Sequence, residues 1–351
     1  MQKTDIERCT IFSTITGSTA YGTNTPTSDI DIRGIAIPDD VGYYTGFLKH
    51  FEQYEDPTKD TVIYDIRKAF KLISDCNPNM LDLLFTDSKF YQKITPYWER
   101  VLDKRDAFLS KKARYTYTGY AFAQLKRIKN HRGYLLNPPK GKPERSDFGL
   151  PDRKILSKDG MGGIDWLIAK MLEDSVQYTL LTDAAKEELS KLNYIGLVQS
   201  HSFTPEQMEL LKTTMNFSDG LMQAVFKEKE YENALTKWNS YQSWKNTRNA
   251  ARSALEEKHG YDTKHAAHLV RLMRMGKEIL ETGKVQVYRP DREELLAIRN
   301  GAWKYEQIEE YAEKMETEIV TAYETSKLPR EPDRPALDEL CSDIIYDYAL
   351  S

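Results

Sequence analysis

The chain predicts an α+β fold, a small mixed sheet with flanking helices followed by a larger helical domain. Two observations carry this reading. Towards the N-terminus, short β-branched apolar runs such as Cys9 to Thr16 and Asp29 to Ile37 are separated by polar breaks, as strands are. From Lys111 onward, apolar residues recur at helical spacing instead.

The elements follow in order. Cys9 to Thr16 (CTIFSTIT) is expected as the first strand, broken by Gly17-Ser18. The polar stretch Thr23 to Ser28 leads into a second strand, Asp29 to Ile37, which Pro38 ends. Thr61 to Tyr64 reads as a third strand, and a helix is expected from Ile66 to about Ser74. Asn77-Pro78 interrupts that helix, and Leu81 to Phe85 begins a further apolar segment. Lys111 to Arg132 is expected as a long helix, followed by an exposed Pro- and Gly-rich loop from Asn137 to Pro143. Further helices are expected at Ile164 to Leu181, Pro205 to Phe226, Tyr231 to His259, Thr263 to Glu281, Tyr305 to Thr325 and Leu337 to Tyr346. The simplest division is a catalytic head at 1–105 and a helical substrate-binding domain at 106–351.

With 351 residues the chain can build one large core or two modest ones. A formal charge of -4 gives no general reason to expect nucleic acid, so any basic surface must be local. The three cysteines, Cys9, Cys76 and Cys341, are far apart and unpaired with histidines at ligand spacing, which argues against a disulfide framework or a structural zinc site. The opening MQKTDIERCTIF lacks a signal-peptide profile, and no apolar run is long enough to span a bilayer. The expectation is a soluble, cytoplasmic protein without membrane partners.

Chemistry concentrates around Gly17-Ser18 and Asp29-Ile30-Asp31. On a strand, Asp29 and Asp31 would share one face while Ile30 and Ile32 enter the core. Two carboxylates so close repel unless a cation sits between them, and Mg²⁺ (or Mn²⁺) suits such hard oxygen donors. Gly17 allows backbone amides to approach a phosphate, and Ser18 adds a hydroxyl. The expected cofactor is therefore a pair of Mg²⁺ or Mn²⁺ ions bound with an NTP. A third carboxylate is needed for the acceptor hydroxyl. Asp60 is favoured over Asp65, because Asp65 directly precedes a helix and has a ready task as its N-cap.

Gly17-Ser18-Thr19-Ala20-Tyr21-Gly22 with Ser28-Asp29-Ile30-Asp31-Ile32-Arg33-Gly34 resembles the signature of DNA-polymerase-β superfamily nucleotidyltransferases. More narrowly, the chain resembles their RNA-ligase-associated (YcgL/RlaP-like) branch. That match rests on blocks such as Asp60 to Tyr64, Asn77 to Leu84, Tyr261 to Leu272 and Leu295 to Gly301. The stretch from about Leu150 to Glu230 is the least covered, and Asp82 stands where the longer glutamate is expected. The resemblance implies a polymerase-β-like head, metal-dependent transfer of an NMP to a hydroxyl, and a place in RNA repair with an RNA ligase as functional partner. It implies Asp29, Asp31 and Asp60 as catalytic metal ligands and Gly17, Ser18 and Tyr21 as nucleotide contacts.

The helical domain is expected to supply the rest. No acidic residue occurs from Lys111 to Lys142, and Tyr117, Tyr120, Gln124, Arg127 and His131 fall on one helical stripe. Such a stripe can stack on a base and neutralise phosphates, so Tyr120, Gln124, Arg127 and His131 are candidate acceptor contacts. Lys264, His268 and Arg271 share a face of a later helix and are candidate triphosphate contacts, with the core side formed by Leu269, Leu272, Met273 and Ile279. His265 and His268 lack the i, i+4 spacing of a helical zinc pair, which argues against a metal role for that pair.

The leading expectation is NMP transfer to an RNA 3′ end. AMPylation of a protein or nucleotidylation of a small molecule would use the same head, and a non-catalytic RNA-binding module would keep only the fold. No Gly-x-Ser-x-Gly elbow, histidine-rich cluster in the sequence or P-loop supports a hydrolase or kinase.

Overall fold

The sheet grows from the antiparallel pairing of β1 (Thr10–Thr16) with β2 (Asp31–Ala36), which sets Thr16 opposite Asp31 and Ile15 opposite Ile32. A computed structural model describes residues 3–45, 47–58, 60–154, 162–163, 165–166, 218–248 and 250–351. Two short strands, β3 (Gln53–Glu55) and β5 (Tyr91–Ile94), edge the sheet, and β4 (Thr61–Asp65) pairs in parallel with β2. The order is β3-β4-β2-β1-β5, and every neighbouring pair except β4 with β2 is antiparallel. This is the small mixed sheet the sequence predicts.

One expectation fails at the start of β2. The strand begins at Asp31, so Asp29 and Ile30 precede it and do not alternate in the sheet. Ile30 is 59% exposed rather than buried, because the ladder that would turn it inward has not yet begun.

Helices α1 (Lys3–Cys9), α2 (Gly17–Tyr21) and α3 (Gly42–Thr45) are short and flank the strands. Helix α4 (Ile66–Ser74) starts where expected, capped by Asp65, whose carboxylate accepts from the backbone N–H of Arg67 at 2.8 Å. The same carboxylate takes two further bonds from the Arg67 guanidinium, at 3.0 and 3.1 Å. In α5 (Pro78–Phe85) Asn77 is the cap and Pro78 occupies the first turn, where a missing N–H is harmless. Asn77-Pro78 thus ends one helix and opens the next. Helix α6 (Pro96–Asp103) follows β5.

The long helix α7 (Ala113–Leu136) buries Ala113, Tyr117, Ala121, Gln124 and Ile128, a stripe at three- and four-residue spacing. After it come α8 (Asp219–Thr247), α9 (Ala250–His259), α10 (Thr263–Thr282), α11 (Arg292–Arg299), α12 (Tyr305–Thr325) and α13 (Arg334–Ala349). The single helix expected from Tyr231 to His259 is two, α8 and α9. The helix expected at Ile164 to Leu181, apart from Asp165 and Trp166, and that from Pro205 up to residue 217 lie outside the described residues.

The chain divides into two compact units, Met1–Asn137 with Asn249–Ser351, and Pro138–Arg248. The head–body boundary expected at residue 105 therefore runs through the first unit. Within that unit one core joins Phe12 and Ile35 of the sheet, Leu81 and Leu84 of α5, Tyr117 and Ile128 of α7, and Leu269, Leu272, Met273 and Ile279 of α10. In the second unit, Arg145 grips the buried Glu228 of α8 through both terminal nitrogens, at 2.9 and 2.5 Å.

Helices α7 and α10 approach closely because Gly276 has no side chain. A Cβ there would stand 2.8 Å from Cβ of Tyr117, below ordinary contact. Gly119, on α7, has open space around it. Urea unfolding should therefore separate the two glycines. Gly276→Val is expected to destabilise the protein by about 1–3 kcal/mol through overpacking. Gly119→Ala is expected to stabilise it by about 0.5–1 kcal/mol through the reduced entropy of the unfolded chain.

Candidate active site

Because Thr16 faces Asp31 across the β1–β2 ladder, the turn that leaves β1 lies against the Asp31 side chain. Gly17 has φ of +66°, a conformation that other residues rarely adopt. A Cβ on Gly17 would come within 2.3 Å of Asp31 Oδ2. The dihedral favours glycine, and any side chain there would push the Asp31 carboxylate aside, so turn and carboxylate form one unit.

This unit forms part of a cleft of about 760 Å³ inside the first compact unit. One wall carries Gly17, Ser18, Tyr21, Asp29 and Asp31; the other carries Lys264, His265, His268 and Arg271 of α10 with Arg299 of α11. The volume falls in the range of small-molecule sites. Its acidic side chains come from the start of β2 and the loop before it, its basic ones from α10 and α11.

Asp29 is exposed and Asp31 partly so. Arg33 lies 3.6 Å from Asp31 Oδ1, and its terminal nitrogen donates to the carbonyls of Ile32 at 2.8 Å and Asp60 at 2.9 Å. Arg33 therefore ties the start of β4 to β2 while leaving Asp31 Oδ2 beside the Gly17 turn. Two exposed carboxylates at a turn that can approach phosphate fit hard dications such as Mg²⁺ or Mn²⁺.

Asp60 immediately precedes β4 and Asp65 ends it. Ile32 pairs with Thr61, and its N–H donates to the Asp60 carbonyl at 2.7 Å, which brings the backbone of Asp60 next to the start of β2. Asp65 is opposite Ala36, five residues on from Asp31, and so lies on the face of the sheet away from Asp31. It is buried and held by Arg67. Asp60 does not line the cleft.

Beneath the cleft is a buried group the sequence reading did not assemble. The Tyr21 hydroxyl donates to Asp82 Oδ2 at 2.6 Å, and Arg271 donates to the same oxygen at 3.3 Å. The Arg271 guanidinium also lies 3.7 Å from the centre of the Tyr21 ring. Asp82 Oδ1 is buried and has no hydrogen-bond partner among the described residues. Burial pushes the Tyr21 hydroxyl pKa well up, so it remains a donor. Burial also raises the Asp82 pKa, against the opposing pull of Arg271 and the Tyr21 hydrogen bond. The group joins α2, α5 and α10, and its only sequence signal was the oddity of Asp82.

The other predicted residues fall unevenly. Gly17, Ser18, Tyr21, Lys264, His268 and Arg271 all line the cleft. The acceptor stripe does not stay together. Gln124 is only 5% exposed and donates to the Tyr120 carbonyl of its own helix, because this side of α7 packs on α10. Buried in this way, Gln124 is not presented to an acceptor. Tyr120 is at the surface and its hydroxyl accepts from Asn77 Nδ2 at 2.9 Å. Arg127 is exposed, and His131 turns to Asp262 with Nδ1 3.2 Å from Oδ2. The basic stretch is also less bare than its composition suggests: Lys112 meets Asp75, Lys129 meets Glu309 and Arg132 meets Glu306. Sequence reasoning missed Asn79, Thr25, Ser28 and Arg299, which line the cleft; Arg299 donates to the Thr23 carbonyl at 3.2 Å and steadies the loop before Asp29.

Residues 3–135 match the family model of RlaP, described as the RNA repair pathway DNA polymerase beta family. The resemblance read from the sequence is thereby shown over that segment. The chain is 30% identical over 126 residues to a protein of Enterobacteria phage T4 described as "Uncharacterized 38.9 kDa protein in nrdC-mobD intergenic region". That match covers 33% of this chain and 37% of the relative's length. No solved structure matches the chain. Among the described residues, no helix is long and apolar enough to cross a membrane.

Two measurements test this geometry. Asp82→Ala would leave Arg271 buried without its carboxylate, and chemical denaturation should show a loss of about 3–5 kcal/mol. For His268, burial first and then the charges of Arg271, His265, Arg127 and Lys264 push the pKa down to about 3. A histidine depressed in the folded state takes up protons preferentially when unfolded, so stability falls as pH drops through the unfolded value near 6.5. Thermal midpoints of wild type and His268→Gln should diverge less at pH 5 than at pH 7.5, as the variant escapes that loss.

Proposed function

We propose that the protein is a metal-dependent nucleotidyltransferase that moves an NMP from an NTP to a hydroxyl on RNA, at a 3′ end undergoing repair. The observation that carries this reading is the single cleft in which the Gly17 turn and the Asp29/Asp31 carboxylates face Lys264 and Arg271. The family match over residues 3–135 supports the same chemistry.

In the proposed reaction, the acceptor oxygen forms a bond to the α-phosphorus as the bond to the β-phosphate oxygen breaks, releasing pyrophosphate. Asp29 and Asp31 would hold the Mg²⁺ or Mn²⁺ ions, which when bound supply charge neutralisation at the phosphates. Gly17 admits the phosphate chain close to the backbone, and Ser18 offers a hydroxyl to it. Lys264 on the opposite wall offsets the charge of the phosphates. Arg271, fixed by Asp82 and Tyr21, gives that wall a cation that is already oriented. Asp60, whose backbone carbonyl is held by the Ile32 N–H next to Asp31, is the proposed acceptor of the hydroxyl proton. Tyr120 and Arg127 are proposed to guide the RNA, and an RNA ligase is the proposed functional partner.

Incubation with each labelled NTP, Mg²⁺ or Mn²⁺ and a panel of RNA ends, tRNA and protein tests the reading. Label should pass to RNA and fall by on the order of 10²-fold or more in Asp29→Asn and Asp31→Asn. Asp60→Asn should lower turnover with little change in thermal midpoint, whereas Asp65→Ala should lower the midpoint by removing the α4 cap. Label on protein alone would replace the acceptor by a protein hydroxyl. RNA binding without transfer of any nucleotide would overturn the enzyme in favour of a binding module.

A further inference from the structure

Beside the cleft, two helices bring together three side chains far apart in sequence. His131 comes from α7; Asp262 caps α10, and His265 lies in its first turn. Their donor atoms all lie within 4.8 Å of one another. His131 Nδ1 is 3.2 Å from Asp262 Oδ2, and His265 Nε2 is 3.6 Å from the same oxygen. The rings are 5.7 Å apart and inclined at 56°, so they are not stacked on each other.

We propose that these residues form a site for a transition-metal dication of the Zn²⁺ class, separate from the Asp29/Asp31 pair. Two imidazoles and one carboxylate are a borderline donor set, which Zn²⁺, Co²⁺ or Fe²⁺ prefers and Mg²⁺ does not. Ligand bonds of about 2.0–2.2 Å set adjacent donors of a tetrahedral ion roughly 3.4 Å apart. The distances of 3.2 and 3.6 Å bracket that value. At 3.6 Å the contact from His265 is too long for a hydrogen bond, but it suits two ligands of a common ion.

The surroundings supply what the first ligands need. Asp262 is fully buried, and its Oδ1 accepts from the His265 backbone N–H at 3.1 Å, which fixes the carboxylate and leaves Oδ2 towards both imidazoles. Three protein ligands leave a coordination position for water. His265 also lines the cleft. The bound ion would clamp α7 to the first turn of α10. The proposed site pairs His265 with His131 of α7, not with His268 of its own helix.

Titration of the metal-free, full-length protein with Zn²⁺ or Co²⁺ alone, without nucleotide, tests this site. One ion per chain should bind, with a Co²⁺ ligand-field band and a raised thermal midpoint. Asp29→Asn/Asp31→Asn should retain the ion, whereas His131→Gln and His265→Gln should each weaken binding by at least tenfold with unchanged circular dichroism. Should a glutamine variant fail to fold, Co²⁺-shifted imidazole protons in the wild-type NMR spectrum would still identify two histidine ligands. Absence of stoichiometric binding, loss of the ion in Asp29→Asn/Asp31→Asn alone, or a Co²⁺ spectrum without shifted imidazole protons would overturn the proposal.

Discussion

The register between β1 and β2 is the constraint on which the rest depends. With Thr16 fixed opposite Asp31, the turn after β1 must press against the carboxylate that opens β2. Glycine suits a φ of +66° and leaves the Asp31 carboxylate where it is. The fold thus places a flexible backbone and a rigid carboxylate together without needing any side chain to bridge them. A slip of one residue would turn every side chain of β2 to the other face and separate the two.

The opposite wall is fixed by a different device. Helix α10 is anchored by apolar packing against α7, with Gly276 allowing the approach, and its one deeply set cation is held by a buried carboxylate. Asp82 accepts from both Tyr21, on the strand side, and Arg271, on the helix side. The two walls are therefore joined under the cleft floor by a charge-assisted bond. Such a pair adds little net stability, since desolvation offsets its attraction, but it fixes orientation. The shorter side chain of Asp82 is compatible with this role because α5 brings it directly beneath Tyr21. A longer glutamate would have to fold back or displace the tyrosine ring.

What was legible in the sequence divides along the range of the interactions. Asp65 as a cap, Asn77-Pro78 as a helix boundary and the strand character of Thr10 to Thr16 are local properties, and each reads directly from neighbouring residues. Strands β3 and β5 are three and four residues long and carry no apolar run, so their existence depends on the edges they pair with. The exposure of Ile30 was misread because alternation is informative only once the ladder has begun. On α7, spacing placed Tyr117, Tyr120, Gln124, Arg127 and His131 on one stripe, but what each does depends on what packs there. Tyr117 and Gln124 turned out to face α10 and Tyr120 the surface, a distinction set by contacts more than a hundred residues away in sequence.

The same long-range logic explains why the carboxylates of the molecule cannot be ranked by motif alone. Asp65, Asp82 and Asp262 are all buried, yet each answers to a different neighbour: a guanidinium two residues on, a tyrosine and an arginine from separate helices, and two imidazoles. Asp29 and Asp31 differ by remaining accessible. An accessible acidic pair pays little desolvation while empty and gains most when a cation arrives, whereas a buried acid must be compensated from the moment of folding. Accessibility, more than the Asp-x-Asp spelling, is what suits Asp29 and Asp31 to the exchangeable metal–nucleotide complex proposed for them. By the same argument, an ion held by the fully buried Asp262 would stay with the fold.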